Sequence, residues 1–199
     1  MIEGIFGLPG DGKTYEAVRR LLLRADAGRQ CFSVTPVEHP NVELISYSDL
    51  VDPELPPGTV LLDEVHIKLP AGMHQRLDED WYAKLSQTRK DGHHLLYTAQ
   101  HESKVLKQLR DNTNWGWVTQ SYFGNQEMDR PPKLFTAKCW QMHTIRRGKP
   151  ADRYVHFFNR RVAAAYQTGY AIREGAAIKQ RGGARYVGAG NGVRLTEEA

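Results

Sequence analysis

The feature that most constrains this chain is a glycine-rich loop close to its N terminus. Residues 7–14, Gly-Leu-Pro-Gly-Asp-Gly-Lys-Thr, match the pattern Gly-x4-Gly-Lys-Thr. An apolar run at 2–6 precedes the loop, and apolar residues with the spacing of one helix face follow it at 17–22. A loop placed between a strand and a helix in this way can wrap phosphate groups with its backbone N–H groups. The pattern predicts a phosphate-binding loop at the start of an α/β fold.

The parts of this loop have distinct predicted roles in binding ATP and Mg²⁺. Its glycines leave room for the backbone to approach phosphate oxygens, and the Lys13 ammonium reaches the β- and γ-phosphates. The Thr14 hydroxyl is a predicted Mg²⁺ ligand. The predicted nucleotide-binding residues are Gly7, Pro9, Gly10, Asp11, Gly12, Lys13, Thr14 and Tyr15.

A second signature is an apolar run that ends in two acids, Thr-Val-Leu-Leu-Asp-Glu at 59–64. The run is typical of a fully buried strand. At its end, Asp63 is predicted to hold Mg²⁺ through water, as a Walker B aspartate does. Glu64 is predicted to polarise the attacking water as a general base, unless it is simply an exposed acid at a strand end. This pair favours an ATP-hydrolysing P-loop protein of the additional-strand class over a small-molecule kinase or a GTPase, and the sequence contains no Asn-Lys-x-Asp guanine signature.

Further candidates for the catalytic site follow the next predicted strand. Gln100 ends the strand at 94–100, at the sheet edge where ligands bind in open α/β folds. We predict that Gln100 senses the γ-phosphate or orients the attacking water, with Thr98 as the weaker candidate. In ATPases of this class, an arginine from a neighbouring subunit commonly stabilises the transition state. Arg89 and Arg110 are the candidates for that arginine, and their spacing does not choose between them.

Strand-like and helix-like segments alternate over the first 110 residues. This alternation predicts a mainly parallel sheet with helices on both faces. Segments 115–123 and 134–145 are predicted to pair as a small β-rich C-terminal extension, and a helix is predicted at 102–110. We divide the chain into an ATPase domain at 1–170 and a basic, glycine-rich tail at 171–199.

The net charge of +4 is unevenly distributed along the chain. Residues 138–199 contain 12 Lys and Arg against 4 Asp and Glu, whereas residues 1–137 contain 15 against 19. A basic C-terminal region on a mildly acidic body predicts a polyanionic partner, either DNA or anionic lipid, with a solvated basic surface as the alternative.

Composition excludes several classes of protein. The mean hydropathy is −0.57, and no apolar run approaches the roughly 18 residues of a membrane span. The N terminus does not have the pattern of a signal peptide. Cys31 and Cys139 provide neither a disulfide framework nor a metal-ligand spacing. We therefore expect a soluble, intracellular protein.

The ordered set of motifs resembles the Zot (zonula occludens toxin) domain family. That family includes the filamentous-phage assembly ATPases and is related to the FtsK/HerA DNA pumps. The resemblance covers about residues 1–170 and is carried by the loop at 7–14, the acids at 63–64 and the segment at 88–100. Arg89 falls on the family's arginine and Gln100 on its glutamine. Residues 154–168 are similar to the family's closing element, an aromatic strand followed by a short helix with a terminal tyrosine.

The resemblance implies a phage morphogenesis motor that couples ATP hydrolysis to DNA packaging or to virion assembly and extrusion. It implies a hexameric ring in the host cytoplasm or at the cytoplasmic face of the inner membrane, with DNA bound by the basic region and other assembly proteins as partners. One alternative is a nucleotide-dependent assembly or secretion factor that acts on proteins at the membrane. Another is a regulatory nucleotide-binding module without turnover.

Two departures from the family are visible. Thr88 and Lys90 stand where many members have histidines, so no role for those histidines carries over. The membrane-spanning segment of the filamentous-phage members is also missing. We expect either a soluble relative or the cytosolic part of a longer protein.

Overall fold

An eight-stranded sheet organises the part of the chain that the structure describes. The computed structural model describes residues 1–72, 79–124 and 132–166, which all belong to one compact unit, Met1–Gln167. The strands are β1 (Ile2–Phe6), β2 (Cys31–Ser33), β3 (Val42–Leu44), β4 (Thr59–Leu62), β5 (His94–Ala99), β6 (Trp115–Tyr122), β7 (Leu134–Gln141) and β8 (Asp152–Phe157). The helices are α1 (Lys13–Asp26), α2 (Tyr47–Val51), α3 (Glu79–Gln87), α4 (Lys107–Asp111) and α5 (Arg160–Ala164).

The strand order is β3-β2-β4-β5-β1-β6-β7-β8. The first six strands in this order pair in parallel, and β6, β7 and β8 pair antiparallel. Strand β5 lies between β1, which leads into the glycine-rich loop, and β4, which leads into the acidic pair. This inserted strand defines the additional-strand class, so the predicted fold class is confirmed.

Helices cover the sheet on both faces, which explains why its central strands are buried along their whole length. All five residues of β1 and all four of β4 are buried. Ile5 belongs to the core cluster that includes the buried face of α1. Its neighbour Phe6 points to the other face and packs edge-on against Tyr97, with ring centroids 5.8 Å apart.

The two β-rich segments pair with each other as predicted, and β6 also pairs with β1, so the extension continues the main sheet. One expectation from the sequence needs correction. The helix expected at 102–110 is interrupted, with a 3-10 turn at Glu102–Lys104 and α4 starting only at Lys107. Between them Val105 and Leu106 are extended and fully buried, and Leu106 donates its N–H to the carbonyl of Leu69 at 2.9 Å.

The tail predicted at 171–199 lies outside the described residues, and so does the domain boundary at 170. Within residues 1–72, 79–124 and 132–166, no helix is long and apolar enough to cross a membrane.

Candidate active site

The predicted site residues other than the two arginines converge at one edge of the sheet. The loop at 7–12 leaves the carboxyl end of β1 and runs into α1, where Thr14 lies in the first turn. Asp63 and Glu64 follow the carboxyl end of β4, and Gln100 follows that of β5. Because these strands are parallel neighbours, their carboxyl ends meet at the same edge, which is where open α/β folds bind ligands.

Asp63 is the centre of a hydrogen-bonded group at this edge. Its Oδ1 accepts from the Thr14 hydroxyl at 3.0 Å and from the Thr98 hydroxyl at 2.6 Å. The same Thr98 oxygen accepts from the backbone N–H of Glu64 at 2.7 Å. Thr98 therefore holds the side chain of Asp63 and the backbone of Glu64 in place. Its position in the sequence did not reveal this structural role.

The backbone of Glu64 adopts an unusual conformation. Its φ and ψ angles are 46° and 44°, in the left-handed region that non-glycine residues seldom adopt. Strain of this kind persists where surrounding contacts enforce it, and such residues cluster at functional sites. The chain turns here directly from the end of β4 into the 3-10 turn at Val65–Ile67.

Burial dominates the electrostatics of the site. It raises the pKa of the Asp63 carboxyl, while the bonds from Thr98 and Thr14 and the charge of Lys13 act in the opposite direction. Burial lowers the pKa of the Lys13 ammonium, and the nearby carboxylates of Glu64, Asp63 and Asp11 act to raise it. Lys13 and Asp63 therefore each favour the charged form of the other, against the effect of burial.

The glycine-rich loop is held in shape by its own side chains. The Asp11 carboxylate accepts from the N–H of Leu8 at 2.7 Å, and the Lys13 ammonium donates to the carbonyl of Leu8 at 3.0 Å. Gly10 and Gly12 have φ angles of 85° and 78°, which favour glycine. Asp11 is thus engaged in bracing the loop.

A cleft of about 590 Å³ opens beside the loop. Its walls include Gly7, Leu8 and Asp11 of the loop together with Gln100 and Lys104 from the segment after β5. The Lys104 ammonium donates to the Gln100 amide oxygen at 2.6 Å. The structure thus brings Gln100 next to the phosphate loop, as the sequence predicts.

The two candidate arginines lie at the other edge of the sheet. Arg89 is exposed in the turn before β5, where the N-terminal ammonium of Met1 donates to the carbonyl of His93 at 2.9 Å. Arg110 lies in the last turn of α4, just before the amino end of β6, where the N–H of Asn114 donates to the carbonyl of Ile2. Among the described residues, neither arginine contacts the loop or the acids of the site, and the predicted role of either one in a neighbouring subunit stays a prediction.

Two flanking residues of the loop differ in their exposure. Pro9 is exposed. The ring of Tyr15 is buried and stacks on Phe135 with centroids 4.3 Å apart, and its hydroxyl accepts from the N–H of Asn159 at 2.7 Å. Tyr15 therefore offers a nucleotide its backbone, whereas its ring belongs to the core.

Three further side chains surround the acids and were missed by the sequence analysis as site residues. The Tyr47 hydroxyl and the His66 Nδ1 atom are buried with no hydrogen-bond partner among the described residues. Burial raises the pKa of both Tyr47 and Tyr166, the latter to about 12, and the negative charge of Asp63 adds to each shift. Only Tyr166 had a signal in the sequence, as the terminal tyrosine of the closing element.

The donor set fits the ligands that the sequence predicts. A hydroxyl and a carboxylate that lie 3.0 Å apart are oxygen ligands of the kind that Mg²⁺ prefers. The ammonium of Lys13 and the backbone of a glycine-rich loop at a helix N terminus suit the phosphates of a nucleotide. The strand order of the sheet and the geometry of the site together identify the fold as that of a P-loop NTPase of the additional-strand class.

Solved structures share this fold. The N-terminal domain of zonular occludens toxin from Neisseria meningitidis aligns with a TM-score of 0.57 and 18% identity, covering 83% of this chain and 98% of that one. The genome packaging NTPase B204 of Sulfolobus turreted icosahedral virus 2, in complex with AMPPCP, aligns with a TM-score of 0.52 and 9% identity, covering 78% and 96%.

These comparisons confirm the structural relationship that the motifs indicated. The fold is that of the Zot N-terminal domain and of the viral packaging NTPase, and it is shared with B204, the DNA-packaging ATPase from Sulfolobus Turreted Icosahedral Virus, at a TM-score of 0.51 and 9% identity. No protein-family model matches the sequence, and no curated protein matches it. At sequence identities of 18% and 9%, these similarities show a shared fold.

Proposed function

We propose that this protein is an ATPase that hydrolyses ATP at the carboxyl edge of β1, β4 and β5. The observation that carries the proposal is the linked group of Thr14, Asp63, Thr98 and Glu64 beside the phosphate loop. A site that only bound a nucleotide would need the loop but not a second acid fixed directly after Asp63.

Each residue then has a defined task. The loop backbone and Lys13 bind the phosphates, and Thr14 and Asp63 would hold Mg²⁺, which when bound offsets the charge of the phosphate oxygens. Glu64 accepts the proton of the attacking water. The hydrogen bond from the Glu64 backbone N–H to the Thr98 hydroxyl keeps Glu64 in position for this step.

The test is ATP turnover by the wild type and by Glu64→Gln. The amide cannot accept the proton, so we expect kcat to fall at least about 100-fold while binding of a non-hydrolysable ATP analogue is retained. Glu54→Gln removes the same charge from an exposed loop and should leave turnover unchanged. Equal turnover in Glu64→Gln and wild type would refute the role of Glu64, and a wild type without turnover would support a regulatory nucleotide-binding module.

We further propose that ATP hydrolysis drives movement of a DNA genome during particle packaging or assembly. Support comes from the fold shared with a genome packaging NTPase and from the basic C-terminal region. In the described part of that region Arg146, Arg147, Lys149, Arg153 and Arg160 are exposed. Exposed cations can exchange their counterions for DNA phosphates.

The same turnover assay tests this second proposal when duplex DNA is added across a salt series. DNA should stimulate turnover, and its affinity should fall steeply with salt because phosphate contacts release counterions. Arg147→Gln/Lys149→Gln should weaken DNA binding, whereas Lys90→Gln/Lys107→Gln removes the same charge elsewhere and should not. Turnover indifferent to DNA, with binding to anionic vesicles instead, would favour the membrane-associated alternative.

A further inference from the structure

The contact between Lys104 and Gln100 settles which atom of the Gln100 amide is engaged. The Lys104 ammonium lies 2.6 Å from the amide group. A lysine ammonium has only donors, so the atom that it contacts is the amide oxygen. Among the residues that the structure describes, the NH₂ group of Gln100 has no partner, and this group can only donate.

The two predicted roles of Gln100 require different atoms. A glutamine that orients the attacking water accepts a hydrogen bond from that water through its oxygen. A glutamine that contacts the terminal phosphate donates through its nitrogen. On the proposed function of this site, we infer that Lys104 is a positioning residue that turns the NH₂ group of Gln100 towards the terminal phosphate of ATP.

The backbone around Lys104 is built to hold the lysine in place. Lys104 ends the 3-10 turn at Glu102–Lys104, and its N–H donates to the carbonyl of His101 at 3.1 Å. The next two residues, Val105 and Leu106, are fully buried. The lysine side chain itself is exposed, so it can be replaced without disturbing the core. A bond from a charged donor to an amide oxygen is also stronger than a neutral one.

The first experiment compares three lysine variants. Lys104→Met removes the donor and keeps most of the side-chain length, Lys104→Arg keeps a donor, and Lys107→Met is the matched control on an exposed lysine of α4. The readouts are kcat and the ratio of the dissociation constants for ADP and a non-hydrolysable ATP analogue. We expect Lys104→Met to lower kcat by about tenfold and the ratio of the ADP to the ATP-analogue dissociation constant by about tenfold. This is the effect of losing about one charge-assisted hydrogen bond. Lys104→Arg should recover most of the loss, and Lys107→Met should behave as wild type.

The second experiment decides which atom of Gln100 acts. Gln100→Glu keeps an oxygen for Lys104 but replaces the donor by a second acceptor. If the NH₂ group contacts the terminal phosphate, this variant loses its preference for the ATP analogue over ADP and loses turnover. If the oxygen orients the water instead, Gln100→Glu retains turnover and the proposal is overturned. In the background of Gln100→Ala, Lys104→Met should have no further effect, because the group that it positions is gone.

The affinity ratio separates this inference from the proposed function. A wild type that binds the ATP analogue without turning ATP over would contradict the ATPase assignment, yet the ratio would still report on Lys104. A wild-type ratio and a wild-type kcat in Lys104→Met would overturn the positioning role, whatever the outcome for Glu64→Gln.

Discussion

At the scale of single residues, the most consequential side chain of the site is the hydroxyl of Thr98. It is fully buried, donates to the Asp63 carboxylate and accepts from the Glu64 N–H. Without it the N–H of Glu64 would lose its partner at the position where the backbone is in the left-handed region. The Thr98 hydroxyl thus favours the ionised form of Asp63 and holds the backbone of Glu64 in position.

We predict that Thr98→Val lowers both activity and stability. The substitution keeps the side-chain shape but leaves a buried N–H unpaired, which costs about 1–3 kcal/mol of unfolding free energy. It also removes a bond that lowers the pKa of Asp63, so that pKa rises further above its ordinary value. Because the carboxylate form would hold the proposed Mg²⁺, the acidic limb of the pH–kcat profile should move to higher pH.

The matched control for this prediction is Thr98→Ser, which retains the hydroxyl. Serine should keep the acidic limb near its wild-type position, and chemical unfolding should show most of the stability restored. An acidic limb that is the same in Thr98→Val and wild type would show that the bond to Asp63 does not control its protonation.

At the scale of elements, the phosphate loop depends on strands that come more than 100 residues later. On β6, the Ser121 hydroxyl donates to the carbonyl of Gly10 at 2.8 Å and the Thr119 hydroxyl donates to that of Phe6 at 3.2 Å. On β7, the ring of Phe135 lies so close to Gly12 that a Cβ there would meet it at 2.5 Å. The antiparallel half of the sheet therefore braces the loop against which the phosphates would bind.

We predict that Ser121→Ala weakens nucleotide binding with little effect on the chemical step. Loss of one hydrogen bond to the loop costs about 0.5–1.5 kcal/mol, which corresponds to a few-fold rise in KM for ATP. Steady-state kinetics measure this split between KM and kcat. Ser86→Ala, which removes an exposed hydroxyl on α3 that accepts from the Gln108 amide, should leave KM unchanged. A fall in kcat at constant KM would indicate that β6 affects the reacting groups and not the loop.

The sequence was informative where local patterns carry the structure, and much less so where distant side chains meet. Strand β4 was predictable because a buried parallel strand is a nearly continuous apolar run, and the loop because its glycines and Lys13 have fixed spacing. The bond from the Ser121 hydroxyl to the carbonyl of Gly10 had no signal in the sequence, because residues 111 positions apart meet only in the folded sheet. Tyr47 has no motif, because only the fold brings it near Asp63.

At the scale of the whole molecule, a buried charge network ties the two halves of the sheet together. Glu3 on β1 and Glu16 on α1 are 5% and 1% exposed. Arg20 donates to Glu3 at 2.6 Å and to Glu16 at 2.5 Å, and its guanidinium lies 3.7 Å from the ring centroid of Trp117 on β6. From β8, the Tyr154 hydroxyl contacts both Arg20 and Glu16. The network thus links the central strand to the antiparallel strands β6 and β8.

The network fixes the ionisation of Glu3. Burial on its own would raise the pKa of this carboxyl, but contact with His94 and the charges of Arg20 and Arg24 outweigh it and hold the pKa at about 2. His94 Nε2 lies 2.8 Å from the Glu3 carboxylate. Charged residues at core positions are not expected from composition, since such side chains are seldom fully buried unless paired.

We predict that Glu3→Gln removes part of the acid sensitivity of the fold. Because the pKa of Glu3 is lower in the folded protein than its usual 4.5, the ionised carboxylate stabilises the fold above about pH 4.5, and that contribution disappears as the pH falls towards 2. The variant should therefore be less stable than wild type at pH 7 by about 3 kcal/mol, because Arg20 and Arg24 lose a buried partner. The difference in unfolding free energy between the two proteins should narrow below pH 4.5 and vanish near pH 2, as measured by chemical unfolding at each pH.

The control is Glu43→Gln, which removes a carboxylate from an exposed position of β3. A stability difference that stays constant from pH 7 to pH 2 would mean that Glu3 contributes through its shape and not through its charge.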